Sequence, residues 1–198
     1  MFEYELSSRP SMQSDTQRIA LGLRHRDLAL LESLVELYQY RLTRYLTHLL
    51  GRRDLVDDLI QGTWLRVLER GSTYDGSSRF EPWLFRVARN LAIDTTRQRQ
   101  TLSLDSADDN VDRIAPPTPA STQPSPFTLA ARTQDAERLA RSLATLEPVH
   151  REALVLRFQE DLSLQEISTI TGAPVSTVAS RIYRGLATLR PHFEGEKA

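Results

Sequence analysis

The chain has no cysteine among its 198 residues. That excludes disulfides and thiolate metal sites, and its four histidines are too scattered to supply a ligand set. No apolar run approaches the ~18 residues that a membrane-spanning helix needs. The N-terminus, MFEYELSSRP, lacks the basic-then-apolar layout of a secretory signal. Cytoplasmic residence without membrane insertion is therefore expected. An excess of one charge is also missing. The formal net charge of −1 argues against a protein that holds nucleic acid by bulk positive potential. Glycine-rich phosphate loops and nucleophile motifs are absent as well, so no catalytic residue, cofactor or metal is expected.

What is present is helical periodicity. A hydrophobic fraction of 40% is adequate for a core, and the length allows two small domains or one larger one. Residues 1–25 are expected to form a flexible tail. From about Arg26, apolar residues recur at three- and four-residue steps (Leu28, Leu31, Leu34, Val35, Tyr38, Leu42, Tyr45, Leu46, Leu49) and stop near Gly51, a helix-ending glycine. A second helix is predicted from Asp54 to about Arg70. Its Leu55, Val56, Leu59, Ile60, Thr63 and Val67 point one way, and Asp54, Asp57, Asp58, Gln61, Leu65 and Leu68 the other. Two leucines in an acidic stripe are covered either by a neighbouring helix of the same bundle or by a basic partner docking there.

The stretch 75–99, DGSSRFEPWLFRVARNLAIDTTRQR, sorts at ~100° per residue into two faces. Leu84, Val87, Ala88, Leu91 and Ala92 form an apolar side, and Trp83, Arg86, Arg89, Asn90 and Arg97 the other. A guanidinium grips phosphate, an amide hydrogen-bonds a base edge, and an indole offers a surface to an unstacked base. An ordinary solvated face of an amphipathic helix is the competing reading. The turn-forming segment 71–78 leads into this helix.

Residues 100–130 read as an acidic, proline-rich linker. Asp105, Asp108, Asp109 and Asp112 precede five of the ten prolines, which fall between Pro116 and Pro126. Beyond it, residues 131–194 form a second helical unit with Leu139, Leu143, Leu146, Ala153, Leu154, Leu156 and Phe158 as core. Ser163-Leu164-Gln165-Glu166 is a capping box, Gly172 a turn residue, and Pro174 the head of a further helix. Val175, Val178, Ile182, Leu186 and Leu189 form its buried stripe. Ser176, Thr177, Ser180, Arg181, Arg184 and Thr188 face outward. The arrangement reads as helix-turn-helix, with short hydroxyls and arginines suited to a major groove. The fold class expected is all-α, two small helical domains joined by a flexible linker.

Two runs carry a family likeness. Gly76-x-x-x-Phe80-x-x-Trp83-Leu84-x-Arg86-Val87-Ala88-x-Asn90-x-x-x-Asp94, together with the upstream Asp54-to-Gln61 and Trp64-to-Leu68 segments, resembles region 2 of bacterial RNA polymerase sigma factors of the extracytoplasmic function (ECF) group. GAPVSTVASRIYRGLATLR resembles sigma region 4. The resemblance implies that residues 26–99 dock on core polymerase and melt the −10 element, and that residues 131–194 read the −35 element. Asp54, Asp57, Asp58, Gln61, Leu65 and Leu68 would meet the clamp helices of the largest polymerase subunit. The loop 71–78 and the helix after it would trap a flipped −10 base, with Asn90 hydrogen-bonding it, Arg79 and Arg86 on phosphates, and Trp83, Arg89 and Arg97 completing the face. Ser176, Thr177, Ser180, Arg181, Tyr183 and Arg184 would enter the −35 groove. Promoter DNA, core polymerase and an anti-sigma factor are the implied partners. The linker is either a passive tether or, as in the family, a strand through the polymerase cleft. Two departures stand out: Gly62 where an acid is common, which points to weaker core affinity, and Ala179 where Lys or Arg is common. An autonomous helix-turn-helix regulator is the rival, and it leaves the Trp83 stripe and the outward leucines without a role.

Overall fold

The computed structural model describes residues 12–51, 54–103 and 139–194. Among these, every regular element is helical. α1 (Met12–Arg24), α2 (Leu28–Leu50), α3 (Val56–Arg70), a 3-10 turn (Gly71–Thr73) and α4 (Phe80–Ser103) form the first unit. A helix at 139–144 (α5), α6 (Pro148–Leu154), α7 (Leu164–Thr171) and α8 (Val175–Glu194) form the second.

Local chemistry sets most helix ends. Asp27 caps α2 by accepting from the Ala29 and Leu30 amides at 3.0 and 3.1 Å, and Gly51 closes it with φ 69°. Ser163 and Glu166 satisfy each other's backbone amides at the start of α7, and Gly172 at φ 70° ends it. α3 begins at Val56, after a turn that contains Asp54 and Leu55, two residues later than the sequence suggests. α4 runs to Ser103, past the expected linker start at 100. The remainder of that linker, 104–130, and the first residues of the second unit, 131–138, lie outside the described residues.

The expected tail is corrected between residues 12 and 24. α1 is a helix, and its Ala20 and Leu23 are buried. Glycines on the neighbouring segments let it approach: a Cβ on Gly71 would stand 2.9 Å from Leu23 Cβ, and one on Gly76 would stand 3.0 Å from Ala20 Cβ. Sequence periodicity misses it because few of its residues are apolar and the pocket it fills belongs to a loop about fifty residues away.

Leu42, Tyr45, Leu46, Val67, Leu84, Phe85 and Ala88 are fully enclosed in the first unit, with Tyr45 edge-to-face on Phe85 at 5.1 Å. Leu156, Leu162, Ile167, Ile170 and Val178 fill the second. The two cores are continuous: α7 lies on α4 and α6 lies on α2. After α6 the chain widens into a π-helical turn, Val155–Gln159, in which the Glu160 amide donates to Val155 O at 3.2 Å and the Leu162 amide to Leu156 O at 3.1 Å. The extra residue of such a turn redirects the backbone beyond it, and Glu160 emerges pointing at α2.

Candidate polymerase and nucleic-acid interfaces

The first surface is α3. Val56, Leu59, Ile60, Thr63 and Val67 are buried, as their spacing predicts, and the Thr63 hydroxyl is satisfied by donating to Leu59 O at 2.6 Å. Leu65 is 60% exposed, with Asp57, Asp58 and Gln61 exposed on the same side and Leu68 half-buried. Among the described residues, no neighbouring helix covers Leu65. Asp54 lies just before the helix and pairs with Arg99 at 3.6 Å. Gly62 faces α4: a Cβ there would stand 2.9 Å from Leu91 Cδ2. The missing acid thus has a packing counterpart, because a hydrogen side chain lets α3 and α4 close on each other.

The second surface is the loop 71–79 with the outer side of α4. The loop is internally tied: the Tyr74 hydroxyl donates to Ser78 O at 2.5 Å, and Asp75 Oδ1 accepts from the Ser77 amide at 2.9 Å and hydroxyl at 2.7 Å. Those two bonds hold the Asp75 carboxyl below its usual range. Burial, with the charge of Glu81, pushes the Tyr74 phenol up to about 12, so it remains a donor. On α4, Arg86, Asn90 and Arg97 are exposed, as is the apolar Ile93 at 43%.

Trp83 is a correction. It is 9% exposed, stacked among Tyr74 at 5.7 Å and Phe80 at 5.6 Å, so its indole is core and not a platform for a base. The loop before α4 folds Tyr74 against it, and Phe80 of its own helix lies beside it. Arg79 and Arg89 are also engaged within the chain. Arg79 lies 3.3 Å from Glu81 and 3.7 Å from Glu166. Arg89 Nε donates to Glu152 Oε1 at 2.7 Å. Burial works to lower the Arg89 pKa, but the hydrogen bond and charge of Glu152 outweigh it and raise it.

The third surface is the helix-turn-helix. Ser168 Oγ donates to Ala173 O at 2.7 Å, pinning the turn between α7 and α8. Ser176, Ser180, Tyr183 and Arg184 are exposed, Tyr183 at 75%, while Thr177 and Arg181 are half-buried. These residues line one shallow cleft with Glu147, Val149 and His150, save Tyr183, which stands outside it. Three expected core residues are corrected: Leu139, Phe158 and Leu186 are 39%, 61% and 45% exposed. They border an apolar groove of about 340 Å³ between α5, α6 and α8, floored by Leu143, Leu154 and Leu189. α8 approaches α6 closely because Gly185 has no Cβ to meet Leu154 Cδ1, which would lie 2.8 Å away.

Sequence reasoning misses a fourth cluster. Glu152 and Glu160 are 4% and 1% exposed. Arg41 Nε donates to Glu160 Oε2 at 2.8 Å and Arg44 Nη2 to Glu160 Oε1 at 2.5 Å. The Tyr45 hydroxyl joins Arg89 on Glu152, at 2.9 Å. Burial, then the charge of Glu152, keeps that phenol well above its ordinary pKa. The signal that could have found it is Arg41 and Arg44 interleaved with the core positions Leu42 and Tyr45, where guanidiniums need buried anions.

A leucine exposed among acids, an arginine-asparagine helix behind a fixed loop, and a helix-turn-helix are the surfaces expected of a DNA-reading transcription factor. Comparison with known proteins agrees. Residues 34–101 match the Sigma-70 region 2 family and residues 136–189 the Sigma-70, region 4 family. The RNA polymerase sigma factor CarQ of Myxococcus xanthus is 33% identical over 160 residues, 80% of this chain and 86% of that protein. The ECF sigma factor SigE of Mycolicibacterium smegmatis is 32% identical over 162 residues, 82% of this chain but only 61% of its own length. Among solved structures, the sigma factor RpoE in complex with the anti-sigma factor NepR, from Bartonella quintana, superposes with a TM-score of 0.68 at 21% identity, covering 84% of this chain and 98% of that one. CnrH in complex with the cytosolic domain of CnrY gives 0.63 at 23%, covering 92% and 100%. The chain belongs to the ECF group of the sigma-70 family, the regulatory subunits that direct RNA polymerase to promoters.

Proposed function

We propose that the chain initiates transcription through three assigned surfaces and leaves all bond chemistry to the polymerase. The exposed Leu65, with Asp57, Asp58, Gln61 and Leu68, docks on the clamp helices of the largest subunit. Ser176, Thr177, Ser180, Arg181, Tyr183 and Arg184 enter the −35 major groove. Arg86, Asn90 and Arg97, beside the tied loop, take the unpaired −10 strand, with Asn90 on a flipped base; Arg79 and Arg89 join them once released from their carboxylates. The observation that carries this reading is Leu65, exposed beside acids on a helix whose other face is complete. An autonomous regulator gives that leucine no role.

No described helix is long and apolar enough to cross a membrane, and we place the protein in the cytoplasm with its polymerase. Because both solved neighbours are bound to a partner, with NepR named as an anti-sigma factor, we extend to this chain the expectation of an anti-sigma partner. The step at which each surface acts is testable. With core polymerase on a promoter found by sequencing its in vitro transcripts, Asn90→Ala should form closed complexes but melt poorly by permanganate footprinting. Arg184→Ala should fail at recruitment and gain little from a pre-melted bubble. Equal loss of recruitment by both, with melting unaltered, overturns the assignment.

A further inference from the structure

Given the assignment of α4 and its loop to the unpaired −10 strand, on which this rests, we propose that Ile93 is the apolar wedge of that surface. Its side chain packs into the base step next to the captured base and replaces the stacking which that base gives up. An outward stripe runs along α4: at ~100° per residue, Arg86, Asn90, Ile93 and Arg97 fall within about 60° of one another. All four are exposed. Arginine and asparagine hydrogen-bond phosphates and base edges, whereas Ile93 is apolar and 43% exposed. Asp94, the exposed acid that follows it, lies ~100° further round the helix and leaves the middle of the stripe to Ile93.

A single exposed aliphatic side chain needs no role of its own; the surface around Ile93 gives it one. Opening a duplex forfeits base stacking, and proteins that unstack DNA offset the loss with an inserted apolar or aromatic side chain. The aromatic groups beside this surface cannot supply it. Tyr74, Phe80 and Trp83 are 2%, 1% and 9% exposed and pack on one another. The exposed residues of the loop, Ser72, Thr73, Asp75, Ser77 and Ser78, are all polar. Among the described residues, the other large apolar side chains that stand exposed lie on α1, α2, α3 or the second unit. The position of Ile93 also fits. Helix residues three apart have Cβ atoms ~5–6 Å from each other, and successive bases lie about 3.4 Å apart, so a base held by Asn90 brings the next step over Ile93. Branching at Cβ leaves isoleucine one strongly preferred rotamer in a helix, and the buried Leu91 and Ala92 fix the backbone beneath it. The wedge is thus in place before DNA arrives.

The test follows open-complex formation by permanganate footprinting, with core polymerase holding the full-length wild type, Ile93→Ala, Ile93→Leu or Asn90→Ala. Ile93→Ala should keep its melting temperature, bind core polymerase normally and form closed complexes. Its open complex should fall about fivefold, the effect expected when the carbons removed had covered only the exposed part of the side chain. Ile93→Leu, which keeps the apolar area, should restore most of that loss. A second arm places abasic sugars one at a time through the −10 segment of the non-template strand. At one position, beside the base whose removal cancels the Asn90→Ala defect, wild type and Ile93→Ala should become equal, because no base remains there to pack on. Full melting by Ile93→Ala while Asn90→Ala is impaired overturns the wedge and leaves the −10 assignment standing; no defect in either overturns that assignment. Loss of core polymerase binding by Ile93→Ala, or a fivefold gap that persists at every abasic position, places Ile93 on another partner and also overturns the wedge.

Discussion

At the scale of single residues, two side chains change meaning once their surroundings are known. Trp83 joins an aromatic cluster with Tyr38, Tyr74 and Phe80, so Trp83→Ala should behave as a core deletion. A loss of ~3–5 kcal/mol is expected, seen as a lower midpoint in urea for the free chain before any DNA is added; an unchanged midpoint with weakened melting would return the indole to the −10 face. His48 is the second. Burial first, then the charges of Arg151 on α6 and Arg44 on its own helix, lower its pKa from 6.5 to about 4. The folded state therefore binds fewer protons at this site than the unfolded one, and the stability it contributes is fully present above pH 6.5 and fades as the pH falls towards 4. Thermal melts at about pH 7 and about pH 5 should show a fall that His48→Gln reduces. The comparison stops there because carboxylates titrate at lower pH.

The elements show why some of this is legible in the sequence and some is not. The limits of α2 and α7 follow from Asp27, Gly51, Ser163 and Gly172, whose capping bonds stay within a few residues; one sequence window contains the whole cause. The buried stripe of α3 is legible for the same reason. Helical spacing misplaces Trp83, Leu186 and Phe158 because a helical wheel knows one helix, whereas coverage comes from segments distant in sequence. α1 is invisible to it because its partners are glycines. Those glycines bring it against the loop: Gly76, at φ 74° in the loop proposed to act in melting, lies on Ala20 and the Thr16 carbonyl. Gly76→Ala would strain the backbone and crowd α1 together, so it should slow open-complex formation by permanganate footprinting while closed complexes form normally. Equal loss of both would mean general unfolding. Leu65→Arg tests α3 in turn. Hot-spot truncations cost ~2 kcal/mol or more, about thirtyfold in affinity, so pull-down with core polymerase should fail at an unchanged melting temperature.

For the whole molecule, the continuous core predicts cooperative behaviour. The free chain should unfold in one calorimetric transition, because neither unit can melt without exposing its share of the seam between them. A double carboxamide variant, Glu152→Gln with Glu160→Gln, should give two transitions. Two in the wild type would mean that the units are thermally independent. The chemistry at the middle of that seam has a further consequence. Two halves sealed by leucine alone would present, on parting, a greasy face prone to self-association. Replacing part of the contact with arginine and glutamate contributes little net attraction, because desolvation offsets the charge pairing, but each half then parts with a wettable surface. Local opening of the seam is on that account less prone to end in self-association.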